Sequence, residues 1–154
     1  MKISVRPLEP ADAETCDAIM GTLPDWFSYE PGLADCAQAV RTQSGWVAAD
    51  GDTVLGFATW VERTPATAEI TWMAVERGRR NKGVGTAIIE RLAEDLAARG
   101  YHLALALTSA ASKEPSGPDT YAETRAFWRA RGFHPLIELD IWETDLALLQ
   151  VRPL

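Results

Sequence analysis

The sequence is short of the residues that most often advertise chemistry. Of its 154 residues two are cysteine and two histidine: Cys16, Cys36, His102 and His134. The cysteines lack CxxC spacing and the histidines stand apart, so no metal-ligand cluster can be drawn and no metal is expected. A reducing cytoplasm is the compartment that such sparse cysteine use suggests. No apolar run approaches the length of about eighteen residues that a spanning helix needs. The opening Met1-Lys2-Ile3-Ser4-Val5-Arg6 alternates in polarity and lacks a signal peptide's apolar middle, so neither a membrane nor an exterior address is expected. Positive charge is scarce as well, since 15 Lys and Arg against 22 Asp and Glu leave a net charge of −7. A surface of that sign repels phosphate, which argues against nucleic acid as a partner. Internal repeats, low-complexity tracts and linkers are missing.

What is there reads as one packed domain over residues 1–154, with 47% hydrophobic and 24% charged residues and six tryptophans. A strand is expected at 2–6, then a helix opened by Pro10-Ala11-Asp12 and a second short helix over 33–42. Between them Leu23 to Gly32 holds two prolines and the rings Trp26, Phe27 and Tyr29. Such a loop either caps the core or walls a substrate pocket. Two β-prone runs, 45–49 and 53–61, flank Asp50-Gly51-Asp52, a hairpin signal, and a third covers 66–75. From Thr86 the period changes: Ile88, Ile89, Leu92 and Leu96 share a helical face, and Gly100 closes the helix. A strand at 102–108, a long loop from Ser109 to Asp119, a helix at 121–130 ended by Gly132, and closing strands at 133–139 and 146–151 complete the pattern.

The junction at 73–88 is the most informative segment. Met73-Ala74-Val75 ends an apolar strand, Glu76 to Lys82 carries four cations against one anion, and an amphipathic helix begins near Gly83. Alone, the charges describe a solvated loop. Placed before a helix they describe an anion site, because first-turn N–H groups have no intrahelical acceptor and carry partial positive charge. Gly83 and Gly85 let a ligand approach that backbone closely. Spacing separates the phosphate motifs that could be confused here. Gly78 and Gly83 have a P-loop gap, yet Val84-Gly85 stand where Lys and Ser/Thr are needed; nor does Gly83-Val84-Gly85 continue into GxGxxG. Nucleotide-dependent phosphoryl transfer and dinucleotide binding are both disfavoured.

Arg80-Asn81-Lys82-Gly83-Val84-Gly85 fits Arg-x-x-Gly-x-Gly after a strand, and resembles motif A of the GNAT superfamily of acyl-coenzyme A-dependent N-acetyltransferases. Phe127-Trp128-Arg129-Ala130-Arg131-Gly132-Phe133 resembles the family's motif B, F-Y-x-x-x-G-F. The resemblance implies an α+β fold: a mostly antiparallel sheet of six to seven strands, flanked by about four helices, whose fourth and fifth strands splay apart. Acetyl-CoA is then the expected cosubstrate, with no metal. Met73, Ala74 and Val75 would pair with its pantetheine arm, Arg80, Asn81, Lys82, Gly83, Val84, Gly85 and Thr86 would hold its diphosphate, and Trp128 would lie against it. The family's bulge in this strand would aim an amide at the thioester carbonyl. The resemblance also allows a homodimer, which no sequence feature specifies.

Acetyl transfer needs a neutral amine, and deprotonating a lysine-like acceptor at neutral pH costs roughly 4–5 kcal/mol. Glu69 occupies the place where histone-acetylating members carry a glutamate base, so the resemblance gives it that role; otherwise it is a solvent-facing strand residue. Even spacing puts it on one face with Thr71, Met73 and Val75. Motif B's tyrosine, an acid in many members, is here Trp128, which cannot release a proton at physiological pH. Tyr121, seven residues earlier, is a substitute acid, a cofactor contact or a core ring. The leading expectation is transfer to a primary amine of a small molecule or peptide by direct attack in a ternary complex, with Trp26, Phe27, Tyr29 and Trp142 as candidate acceptor-site rings. A non-catalytic acyl-CoA sensor of the same fold is the alternative.

Overall fold

The computed structural model describes residues 1–24, 26 and 30–154. Its frame is a seven-stranded sheet in the order β1-β2-β3-β4-β5-β7-β6. The strands are β1 (Ser4–Pro7), β2 (Ser44–Asp50), β3 (Thr53–Thr64), β4 (Thr67–Val75), β5 (Leu103–Ser112), β6 (His134–Leu139) and β7 (Asp145–Pro153). The helices are α1 (Ala13–Gly21), α2 (Glu30–Thr42), α3 (Val84–Ala98) and α4 (Ala122–Ala130). Sheet size, helix number and the mostly antiparallel order agree with the α+β expectation. Gly51 takes φ +60° in the tight β2–β3 turn, as the Asp-Gly pair predicted. One loop is shorter than expected. β5 runs on to Ser112 because β7 pairs with it as far as Ser112↔Asp145, absorbing an extra residue between Ser109 and Ala111.

Two apolar layers hold the sheet. On one face Ile88, Ile89, Leu92 and Leu96 of α3 are fully buried among Leu55, Ala58, Ile70 and Ala104, and Trp128 and Phe133 close that layer beside them. On the other, Cys16, Ile19 and Met20 of α1 and Cys36 and Val40 of α2 pack on Val47, Phe57 and Ala74. The α3 face is the one that the 3.6-residue periodicity marked. Arg6 of β1 ties the start of α1 down, donating from both terminal nitrogens to Asp12 at 2.8 Å.

That pair carries a pH dependence. The Arg6 guanidinium's hydrogen bonds, against the cost of burial, hold the Asp12 carboxyl below the usual carboxylate range. A depressed folded pKa stabilises the protein above the unfolded value and ceases to do so as pH falls through the folded one. Arg6→Met is therefore expected to cost about 2 kcal/mol near neutrality. Acid titration followed by circular dichroism should show the variant unfolding at higher pH than the parent, with the difference shrinking at the acid end.

The feature that makes a site is where β4 and β5 part. Their parallel pairing runs from Thr67↔Leu103 to Ile70↔Ala106. Beyond it β4 continues against β3 to Val75, while β5 continues against β7 to Ser112. The two strands therefore diverge, leaving β4 from Thr71 to Val75 with no strand on its β5 side among the described residues.

Candidate active site

The divergence coincides with a bulge. Trp60 pairs with Ile70 and Thr59 with Trp72, which leaves Thr71 as the extra residue of β4. Its hydroxyl donates to Gln43 Oε1 and shares a 2.7 Å hydrogen bond with the hydroxyl of Thr59, pinning the bulge to the end of α2 and to β3. The bulge also resets the alternation of the strand. Ala68 and Ile70 lie in the α3 layer, and so do Met73 and Val75, whereas Trp72 and Ala74 lie in the α1–α2 layer. The expectation that Glu69 shares a face with Met73 and Val75 is thus corrected: the extra residue places Glu69 on the opposite face. There it accepts from Arg63 Nε at 3.0 Å.

After Val75 the chain makes a 3₁₀ turn at Arg77–Arg79 and enters α3 through two left-handed residues, Asn81 at φ +60° and Gly83 at φ +85°. Gly83 is the N-cap, and the first intrahelical bond recorded there is Ala87 N–H to Gly83 O at 3.0 Å. The amides of Val84, Gly85 and Thr86 thus precede the ladder and face outward along the helix axis. A Cβ on Gly83 would meet nothing within 4 Å among the described residues, which leave the space before this turn open. At Gly85 a Cβ would come within 3.0 Å of the Phe127 ring and 3.3 Å of Met73 Cε. Gly85→Ala is therefore expected to push Phe127 aside and cost about 1–3 kcal/mol, read as a lowered thermal midpoint.

The turn and the parted strands enclose a cavity of about 430 Å³. Met73, Ala74 and Val75 form its floor, and Arg80, Asn81, Gly83, Val84, Gly85 and Thr86 its basic end. Tyr121 and Trp128 of the α4 region stand across from them, with Trp26 and Leu23 at the side. Arg79, Glu123, Thr124 and Phe127 also line it; sequence reasoning passed over them, although Thr124 sits one turn after Tyr121 and Phe127 lies inside motif B. Lys82 is exposed and lies outside this lining, as do Glu69 and Trp142. Trp142 is 37% exposed in the β6–β7 connection. Phe27 and Tyr29 lie outside the described residues.

Trp26 joins the two walls. Its indole N–H donates to Thr120 O at 2.8 Å, and its carbonyl accepts from the Tyr121 hydroxyl at 2.7 Å. The Arg80 guanidinium lies over its ring at 4.1 Å from the centroid. The ring expected at an acceptor site thus also belongs to the anion-binding end. Burial, with a smaller contribution from the Asp145 carboxylate, pushes the Tyr121 phenol up to about 12. It therefore keeps its proton at any physiological pH. Asp145, which nothing in the sequence singled out, accepts from Ser109 Oγ at 2.7 Å at the start of β7. Trp128 is 7% exposed and packs edge-on against Phe133 with centroids 4.8 Å apart. Arg125 is committed to Ser109 O and to Asp119.

An open, basic, amide-rich turn, a strand edge unpaired among the described residues and a cavity lined by both suit an extended ligand with a phosphorylated end. Comparison with known proteins agrees. The description "Acetyltransferase (GNAT) family" matches residues 12–133, and the chain belongs to this family. Among solved structures, a protein described as an acetyltransferase of the GNAT family from Desulfovibrio desulfuricans superposes with a TM-score of 0.83 at 20% identity, covering 99% of both chains. The ribosomal-protein-S18-alanine N-acetyltransferase of Escherichia coli gives 0.77 at 16% identity, covering 99% of this chain and 94% of its own. A GNAT family acetyltransferase from Elizabethkingia anophelis with acetyl-CoA bound gives 0.72 at 16% identity, covering 99% and 98%. At these identities the likeness is one of fold. No curated protein matches the sequence at a significant level. Among the described residues no cluster of potential metal ligands occurs, and no helix is long and apolar enough to cross a membrane.

Proposed function

We propose that residues 1–154 act as one cytoplasmic N-acetyltransferase domain that uses acetyl-CoA to acetylate a primary amine of a small molecule or a peptide. The observation that carries this reading is the α3 N-terminal turn, whose amides open onto a cavity bounded by the edge of β4 left unpaired among the described residues. The residues present fit the cosubstrate. Val84, Gly85 and Thr86 amides with Arg80 would hold a diphosphate, and the β4 backbone at Met73, Ala74 and Val75 would hold an extended amide-bearing arm. When bound, acetyl-CoA supplies an activated acetyl group as a thioester.

The chain's own groups supply positioning and proton control. Tyr121 is a neutral phenol at the cavity wall. With a pKa near 12 it lies well above a thiol's ordinary value of about 8.5, so complete proton release to a thiolate is unfavourable. Its one proton is held by the Trp26 carbonyl, so its role is to turn from that carbonyl and donate a hydrogen bond to charge that develops beside it. Glu69 serves as the base through a bridging water; what supports this is its position one pair before β4 and β5 separate, at the mouth of the divergence. Arg63 keeps it in place. No acyl-enzyme is involved. Both cysteines are free and buried, and burial pushes each thiol up to about 12, which leaves them poor nucleophiles.

Calorimetry with CoA, followed by thiol release from acetyl-CoA across a panel of primary amines, tests the proposal. Binding with turnover on at least one amine is expected. Tyr121→Phe should lower kcat about tenfold with CoA affinity within a factor of a few. A second reading, an acyl-CoA sensor, is favoured by one observation: the buried Trp128 where motif B carries its phenol. Binding without turnover across the whole panel would select it.

A further inference from the structure

Arg131 and Arg152 form a second basic site beside the turn. Arg152 Nη1 donates to Arg131 O at 2.8 Å, and the two line an open hollow together with Glu90, Ala130, Gly132 and Pro153. Neither guanidinium has a carboxylate partner within salt-bridge distance among the described residues, although Glu90 shares the hollow. Two neighbouring cations without an acid partner stand out in a chain of net charge −7. Arg131 is also short of hydrogen-bond partners: its Nε is buried and has none. Its Nη1 donates to Thr86 Oγ1 at 3.2 Å. Thr86 lines the main cavity from the first turn of α3, so Arg131 reaches from the hollow to the edge of the amide cradle. An anion bound there would lie next to a ligand's diphosphate, not upon it.

We infer that Arg131, supported by Arg152, is the site for a phosphate monoester attached to the ligand's nucleotide end, the ribose 3′-phosphate that distinguishes CoA from dephospho-CoA. The inference rests on the proposed CoA-binding function and names which part of the ligand this pair reads. A dianionic monoester offers acceptor oxygens to the guanidinium nitrogens that Thr86 Oγ1 and the Arg131 carbonyl leave unused. It would also offset the repulsion between them, and the acidic Glu90 at the rim would favour a ligand only where both arginines outweigh it.

Calorimetry of the whole protein with CoA and with dephospho-CoA tests this without turnover. CoA is expected to bind about tenfold or more tightly than dephospho-CoA, with the gap closing as salt rises. Arg131→Met should bring the two ligands to within about twofold by weakening CoA alone, and Arg131→Lys should restore part of the gap. A parent protein that binds both ligands equally would overturn the inference and leave the acetyltransferase reading standing. A preference unchanged in Arg131→Met, with only the thermal midpoint lowered, would also overturn it and assign Arg131 to packing. Binding of neither ligand would instead count against the CoA reading itself.

Discussion

Gly83→Val is expected to leave the protein folded and to weaken CoA binding by about a hundredfold. The residue stands at φ +85° and ψ 3°, a left-handed conformation that costs an L-residue roughly 1–2 kcal/mol, more when it is β-branched. Relief of that strain rotates the peptide planes on either side and turns the amides at the helix entry away from their common target. Losing two backbone hydrogen bonds to an anion, about 1.5 kcal/mol each, gives that factor. Crowding within the protein is not the cause, because a Cβ there would meet nothing within 4 Å among the described residues. Gly83→Ala should therefore fall between parent and valine variant. Calorimetry with CoA reads the affinity, and circular dichroism confirms that the fold persists. Unchanged affinity in a folded valine variant would mean that the diphosphate binds elsewhere.

The second large effect is expected at Glu69. Glu69→Gln keeps size and the ability to accept from Arg63, but removes the capacity to take a proton. If the carboxylate draws the amine's proton through water, kcat should fall about a hundredfold, while CoA affinity and thermal midpoint stay near the parent values. Arg63→Met tests the same idea from the other side. It frees the carboxylate without removing it, and should cost much less than the glutamine change. A glutamine variant with parental kcat would leave the acceptor to arrive unprotonated from solution, with Tyr121 as the remaining protein contribution to the chemistry.

The parts of this molecule that follow one rule over a local span were legible in the sequence. Ile88, Ile89, Leu92 and Leu96 mark the buried face of α3 by period alone, and Gly83 and Gly85 mark its entry. Even spacing failed on β4, where a single extra residue at Thr71 moves Glu69 to the face opposite Met73. What selects the bulge is nonlocal, since Thr71 is held by Thr59 and by Gln43, 28 residues away in the chain. Asp145 escaped notice for the same reason: it matters through Ser109, 36 residues earlier. Trp26 was legible as a ring in a proline-bearing loop, either capping the core or walling a pocket. Its clasp on Thr120 and Tyr121 and its stack under Arg80 depend on three segments that only the folded chain brings together.

The central claim is that the amides at the start of α3 bind the diphosphate of CoA, and the backbone itself can report it. In ¹⁵N-labelled protein titrated with CoA, the amide resonances of Val84, Gly85 and Thr86 should show the largest downfield shifts in the spectrum and saturate together. The same three amides standing still while CoA binds would contradict the account.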